Sequence, residues 1–172
     1  MKGQLNAGEW FFRAREFLMA GNLLSDVRFY NGNSFGLSPV VCFAFSCECL
    51  LKCLLTLRQK NFPRDHNLRD LFRLLPSDDR QVIEQQWNQT TLVNLKSGKP
   101  MPFMPEQITS INQALKRSGD AFKEWRYRPN SWFSSWCVFS FPNHVMDLIY
   151  TIKPEWVHAP PDLFGDSRKS SR

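Results

Sequence analysis

Between Ser38 and Leu57 the chain is apolar at almost every position, SPVVCFAFSCECLLKCLLTL. Ser38 can cap a helix start and Pro39 suits the first turn, where a missing N–H costs nothing. The pattern therefore predicts a helix over Ser38–Leu57 that is hydrophobic on nearly all sides, either a central core helix or a membrane span. At 1.5 Å per residue it would run about 27 Å, close to bilayer thickness. Glu48 and Lys52 decide against the membrane, because each charge would cost several kcal/mol at the bilayer centre. They lie four apart on one face, acid before base, as an ion pair prefers, and Thr56 continues the stripe. The expectation is a buried bundle helix with one narrow polar seam.

The flanking segments read as further helices. Asn6 and Glu9 have capping-box spacing. Trp10, Ala14, Phe17, Leu18, Gly21 and Leu24 recur at helical intervals, with Arg13, Arg15 and Glu16 mostly on the other side, so a helix is predicted from about Ala7 to Leu24. Asn31, Gly32, Asn33 and Gly36 mark a loop returning the chain to the central helix. After the Pro-broken connection RQKNFPRDH, the spacing of Leu68, Leu71, Phe72 and Leu75 predicts a short helix stopped by Pro76. A more polar helix follows from roughly Asp78 to Asn94, with Val82, Ile83 and Trp87 as its inner face. Lys96–Pro105 is irregular. A long helix is expected with Ile108, Ile111, Leu115, Phe122 and Trp125 on one stripe, ended by Pro129. Asn130–Phe141 is crowded with aromatic residues and compatible with an extended piece or an aromatic loop. Pro142 and Asn143 open a last helix carrying Val145, Met146, Leu148, Ile149 and Ile152. Residues 154–172 read as a poorly ordered tail. The fold class predicted is all-α, a bundle of four to five main helices with a short extra helix, in one domain over residues 1–153.

Composition sharpens this picture only in places. The net charge of +6 suits an RNA or DNA partner but is equally common in proteins that bind neither. The 15 Phe and 6 Trp imply a dense core or a hydrophobic interface. Four of the five cysteines (Cys42, Cys47, Cys49, Cys53) fall in the apolar helix. Without C-x-x-C pairs or histidines at zinc-finger spacing they read as small core residues in a reducing cytosol, and neither metal nor cofactor is expected. The aromatic run WFF is followed at once by charged residues, so the start of the chain is unlike a signal peptide; the expected location is cytoplasmic.

No nucleophile elbow, P-loop or dinucleotide motif is present. Of the three histidines, His66 stands at a helix start, where capping or packing is the plain reading; His144 and His158 read as solvated. The arrangement of Glu48-x-x-x-Lys52 on an apolar helix, His66-Asn67-Leu68 opening a Leu-rich helix, then Ala121-Phe122…Trp125-Arg126-Tyr127, resembles the HEPN domains over roughly Ala7 to Ile152. These are small helical bundles common in prokaryotic toxin–antitoxin and anti-phage systems. The resemblance implies a bundle of four or five helices, commonly a homodimer, and often metal-independent RNA cleavage.

HEPN ribonucleases carry an Arg followed, after four to six residues, by a His that acts on the ribose 2′-hydroxyl. Here Asn61, Lys60 and Gln59 precede His66 at those positions, and Phe139, Val138 and Cys137 precede His144. Lys60–His66 and Lys153–His158 have comparable spacing, but Lys lacks the planar fork that grips phosphate. The departure favours a divergent, non-catalytic protein that binds RNA, a nucleotide or a protein partner. The alternative is a ribonuclease with a variant site, His66 as base with Arg64, Lys52 or Arg126 near the phosphate. The candidate catalytic set is then His66, Lys52, Glu48 and Arg126; candidate nucleic-acid contacts are Arg58, Lys60, Arg64, Arg69 and Arg128. A helical scaffold unrelated to nucleic acid is the third reading. The aromatic surplus around Trp132–Phe141, with the habit of the resembled family, leads to the expectation of a homodimer.

Overall fold

The computed structural model describes residues 5–25, 38–63, 66–96, 110–118 and 140–158. Among these, six α-helices occur: α1 (Ala7–Ser25), α2 (Ser38–Leu57), α3 (Leu68–Arg73), α4 (Ser77–Lys96), α5 (Ile111–Ser118) and α6 (Phe141–Ile152). A 3-10 turn, Pro154–Trp156, follows, and no strand is found among the described residues. The fold is all-α.

The capping box predicted at the first helix forms. Asn6 Oδ1 accepts from the Glu9 N–H at 2.9 Å, and Glu9 Oε2 accepts from the Asn6 N–H at 2.7 Å. From there α1 runs antiparallel to α2, as three contacts in reversed order show. Ala14 carbonyl accepts from Ser46 Oγ at 2.9 Å, Phe17 stacks on Phe45 at 4.9 Å, and Gly21 faces Phe43. A Cβ at Gly21 would come within 2.9 Å of the Phe43 ring, so glycine is what permits this close approach.

Helix α2 is the centre of the bundle, contacting α1, α3 and α6. Its Leu50, Leu51, Cys53, Leu54 and Leu55 are wholly buried. Each fully buried leucine of this kind contributes about 1.5–3 kcal/mol of hydrophobic stabilisation. The helix is long and apolar enough to cross a membrane by length and composition, and 67% of its apolar window is buried inside the protein itself. Around it, α3 contacts α5, and α4 contacts α5 and α6. Phe141 packs edge-on against Phe72 at 6.0 Å, so this member of the aromatic cluster belongs to the chain's own core.

Several expectations need correction. Phe11, on the flank of the predicted stripe, is wholly buried, between Tyr150 and Trp156. Val82 is 38% exposed while Ile83 and Trp87 are buried, because the inner face of α4 is narrower than its apolar letters suggest. The last helix starts at Phe141, and the chain beyond it does not fray at once: Trp156 lies 5.1 Å from Phe11, giving the 3-10 turn an apolar anchor. The predicted long helix is described only over Ile111–Ser118. The rest of it, Asn130–Phe139 and residues 159–172 lie outside the described residues.

Candidate functional site

The site begins where α2 ends. Lys60 N–H donates to the Leu55 carbonyl at 2.8 Å and Gln59 N–H to Thr56 at 3.0 Å, closing a Schellman turn. Its C′ residue, Gln59, takes a left-handed φ of 53°, a position that usually selects glycine. Arg58, just before it, is clamped to Asp79 near the start of α4. Nε donates to Oδ2 at 2.8 Å and Nη2 to Oδ1 at 2.7 Å, and the carboxylate holds the guanidinium pKa further up. Turn and clamp together send the chain back across the end of α2. Asn67 then starts α3, its Oδ1 accepting from the Arg69 and Asp70 N–H groups at 3.0 and 3.1 Å.

This path brings together residues from three segments: α1, α2 and the connection between α2 and α3. Glu48 and Lys52 are each only 5% exposed, and Lys52 Nζ donates to Glu48 Oε1 at 2.6 Å. Nζ also lies 5.2 Å from the Trp10 ring centroid and 6.0 Å from that of Phe62, within cation–π range of both. The two rings meet edge-to-face at 6.4 Å. His66 approaches the same carboxylate from the rim, with Nδ1 2.9 Å from both Glu48 oxygens and its side chain 41% exposed. Thr56, the last member of the polar seam, turns inward to its own helix and donates to the Lys52 carbonyl at 2.7 Å.

The sequence-predicted residues thus separate into three groups. Glu48, Lys52 and His66 converge. The capping role expected for His66 belongs to Asn67 instead, because His66 lies one residue too early and its ring turns to Glu48. Arg58 stands apart, engaged by Asp79; Lys60 is exposed; Arg69 is half-buried, and its Nε has no hydrogen-bond partner among the described residues. Arg64, Arg126 and Arg128 lie outside the described residues. Trp10 and Phe62 were not foreseen as site residues. Only the isolated aromatic inside the polar connection RQKNFPRDH signalled Phe62, and Trp10 is masked as an ordinary stripe position.

The expectation for His144 is overturned. It is 7% exposed, set edge-on to the buried Trp87 at 6.4 Å, and desolvation lowers its pKa against a smaller upward pull from Asp147. His158 is exposed, as expected. The helix thiols are suppressed by burial, which pushes Cys49 up to about 12 and Cys47 and Cys53 upward as well. They cannot act as thiolates at neutral pH. Among the described residues no three His, Cys, Asp or Glu side chains are grouped to hold a metal ion.

No family model, curated protein or solved structure matches the chain.

Proposed function

We propose that this chain is a divergent HEPN-like bundle that works by binding RNA rather than by cleaving it, as a cytosolic homodimer within a bacterial defence or toxin–antitoxin system. The observation that carries the reading is the meeting of Glu48, Lys52 and His66, which the resemblance singles out and which lie up to 18 positions apart in sequence. Non-catalytic action is supported by the state of Lys52. Its ammonium is buried and already taken up by Glu48 and two aromatic faces, so it has no reach toward a phosphate. The Arg–His spacing of the family's ribonucleases is also lacking. Lys60 and Arg69, which flank the half-exposed His66 in sequence and are themselves exposed and half-buried, are the cations suited to a phosphate backbone. A nucleotide or protein ligand would meet the same rim.

A second reading is favoured by one specific contact. An imidazole whose Nδ1 meets a buried carboxylate has the arrangement of a general base, and a ribonuclease could use His66 in that way.

Fluorescence anisotropy with labelled single-stranded RNA tests both. Binding should weaken as salt rises from 50 to 200 mM. Lys60→Gln and Arg69→Gln should each lower the log–log salt slope by about 0.7, the value for one phosphate contact on a single strand. No binding at 50 mM salt would remove RNA as the ligand. Cleavage in the presence of chelator, lost in His66→Gln, would establish the second reading in place of the first.

A further inference from the structure

We propose that Lys52 is a positioning residue for His66, acting through Glu48 to keep the imidazole proton on Nδ1 and the lone pair on Nε2. The inference rests on the reading of His66 as the ligand-facing member of the site. An ionised carboxylate only accepts hydrogen bonds, so a neutral His66 facing one must donate from Nδ1. Glu48 is almost fully buried, and the group that sustains its charge is the Lys52 ammonium at 2.6 Å. Nζ is itself pinned by the faces of Trp10 and Phe62. The carboxylate is thereby fixed with both oxygens 2.9 Å from Nδ1.

Without Lys52 the buried corner lacks a cation and takes up a proton from solvent. If the proton goes to Glu48, its O–H donates to Nδ1, and the imidazole proton moves to Nε2. If it goes to His66, both nitrogens carry protons. Either way Nε2 changes from acceptor to donor. A ligand met by the wild-type chain is therefore one that offers His66 a donor group, such as a ribose hydroxyl, rather than a bare phosphate oxygen.

The test is a two-bond proton–nitrogen correlation spectrum of the full 15N-labelled chain at pH 8, with His66 assigned by loss of its signals in His66→Gln. The wild type should show the Nδ1–H pattern, Lys52→Met a protonated Nε2, and Lys52→Arg the wild-type pattern again. A wild-type His66 protonated on Nε2 overturns the proposal without any variant. So does a folded Lys52→Met chain that retains the wild-type pattern. Should Lys52→Met fail to fold, Lys52→Gln, equally uncharged but polar, is read by the same criterion. A chain with the Nδ1 tautomer that binds no RNA would leave this assignment standing and remove the proposed function. RNA binding by a chain with a protonated Nε2 would do the reverse.

Discussion

His66 and His144 stand in opposite environments within one small bundle. His66 lies at the rim beside a buried carboxylate, in a corner where the charges of Glu48 and Lys52 are paired and the Trp10 and Phe62 ring faces meet the ammonium, although the Trp10 Nε1 has no hydrogen-bond partner among the described residues. His144 lies in the core between α4 and α6, against Trp87, and neither its Nε2 nor the Trp87 Nε1 has a hydrogen-bond partner among the described residues. The comparison teaches that burial alone does not set the chemistry of a polar side chain. Charges buried together with their counter-charges hold a defined geometry, whereas a neutral imidazole buried among rings is tolerated only while it stays neutral.

Breaking the rim corner should give the largest effect. Removing one member of the Glu48–Lys52 pair, as in Lys52→Met, takes the counter-charge from a buried group, whether that group then stays charged or is neutralised by a proton, and should cost roughly 3–5 kcal/mol in urea unfolding. Replacing both, Glu48→Leu with Lys52→Met, should recover most of that loss, since neither charge is then stranded. A double variant as unstable as the worse single one would show that packing, not charge, dominates the corner.

The Arg58–Asp79 clamp extends the same test to the path that delivers His66. Arg58→Ala deprives Asp79, 4% exposed, of two charge-assisted hydrogen bonds and should cost about 2 kcal/mol. Arg58→Lys should restore less than half, because an ammonium cannot reproduce the two-pronged contact.

The core histidine is probed by pH. Its folded pKa is lowered, so the unfolded chain binds the proton more readily than the folded one. Its contribution is therefore harmless above the unfolded imidazole value of about 6.5 and erodes stability as pH falls through it. One proton limits the slope to about 1.4 kcal/mol per pH unit. Urea midpoints measured from pH 7.5 to 5.5 should fall less steeply in His144→Phe than in the wild type. Equal slopes would mean that His144 is solvated in the folded state.

The smallest effect is expected at the turn that leads to the rim. Gln59→Gly relieves a left-handed residue and should raise stability by about 0.5–1 kcal/mol, provided φ stays near its present 53°. A loss instead would mean that the Gln59 side chain contributes more than its backbone costs.

Much of this molecule was legible in the letters. Periodicity placed α1 and α2 within a residue of their observed bounds, the capping box at Asn6 and Glu9 was readable from spacing, and four-residue spacing paired Glu48 with Lys52. Those features are local: they depend on helix geometry and on neighbours three or four positions away. The remainder depended on which distant segments meet. Nothing in the sequence around His144 distinguishes a solvated helix start from a position facing Trp87, and nothing near Glu48 announces His66. The Schellman turn and the Arg58–Asp79 clamp decide that meeting, between residues 18 positions apart in the chain. Pairings of that range are selected by the packing of the whole bundle, since many alternative approaches satisfy the same local pattern and only one buries Glu48 with both its partners.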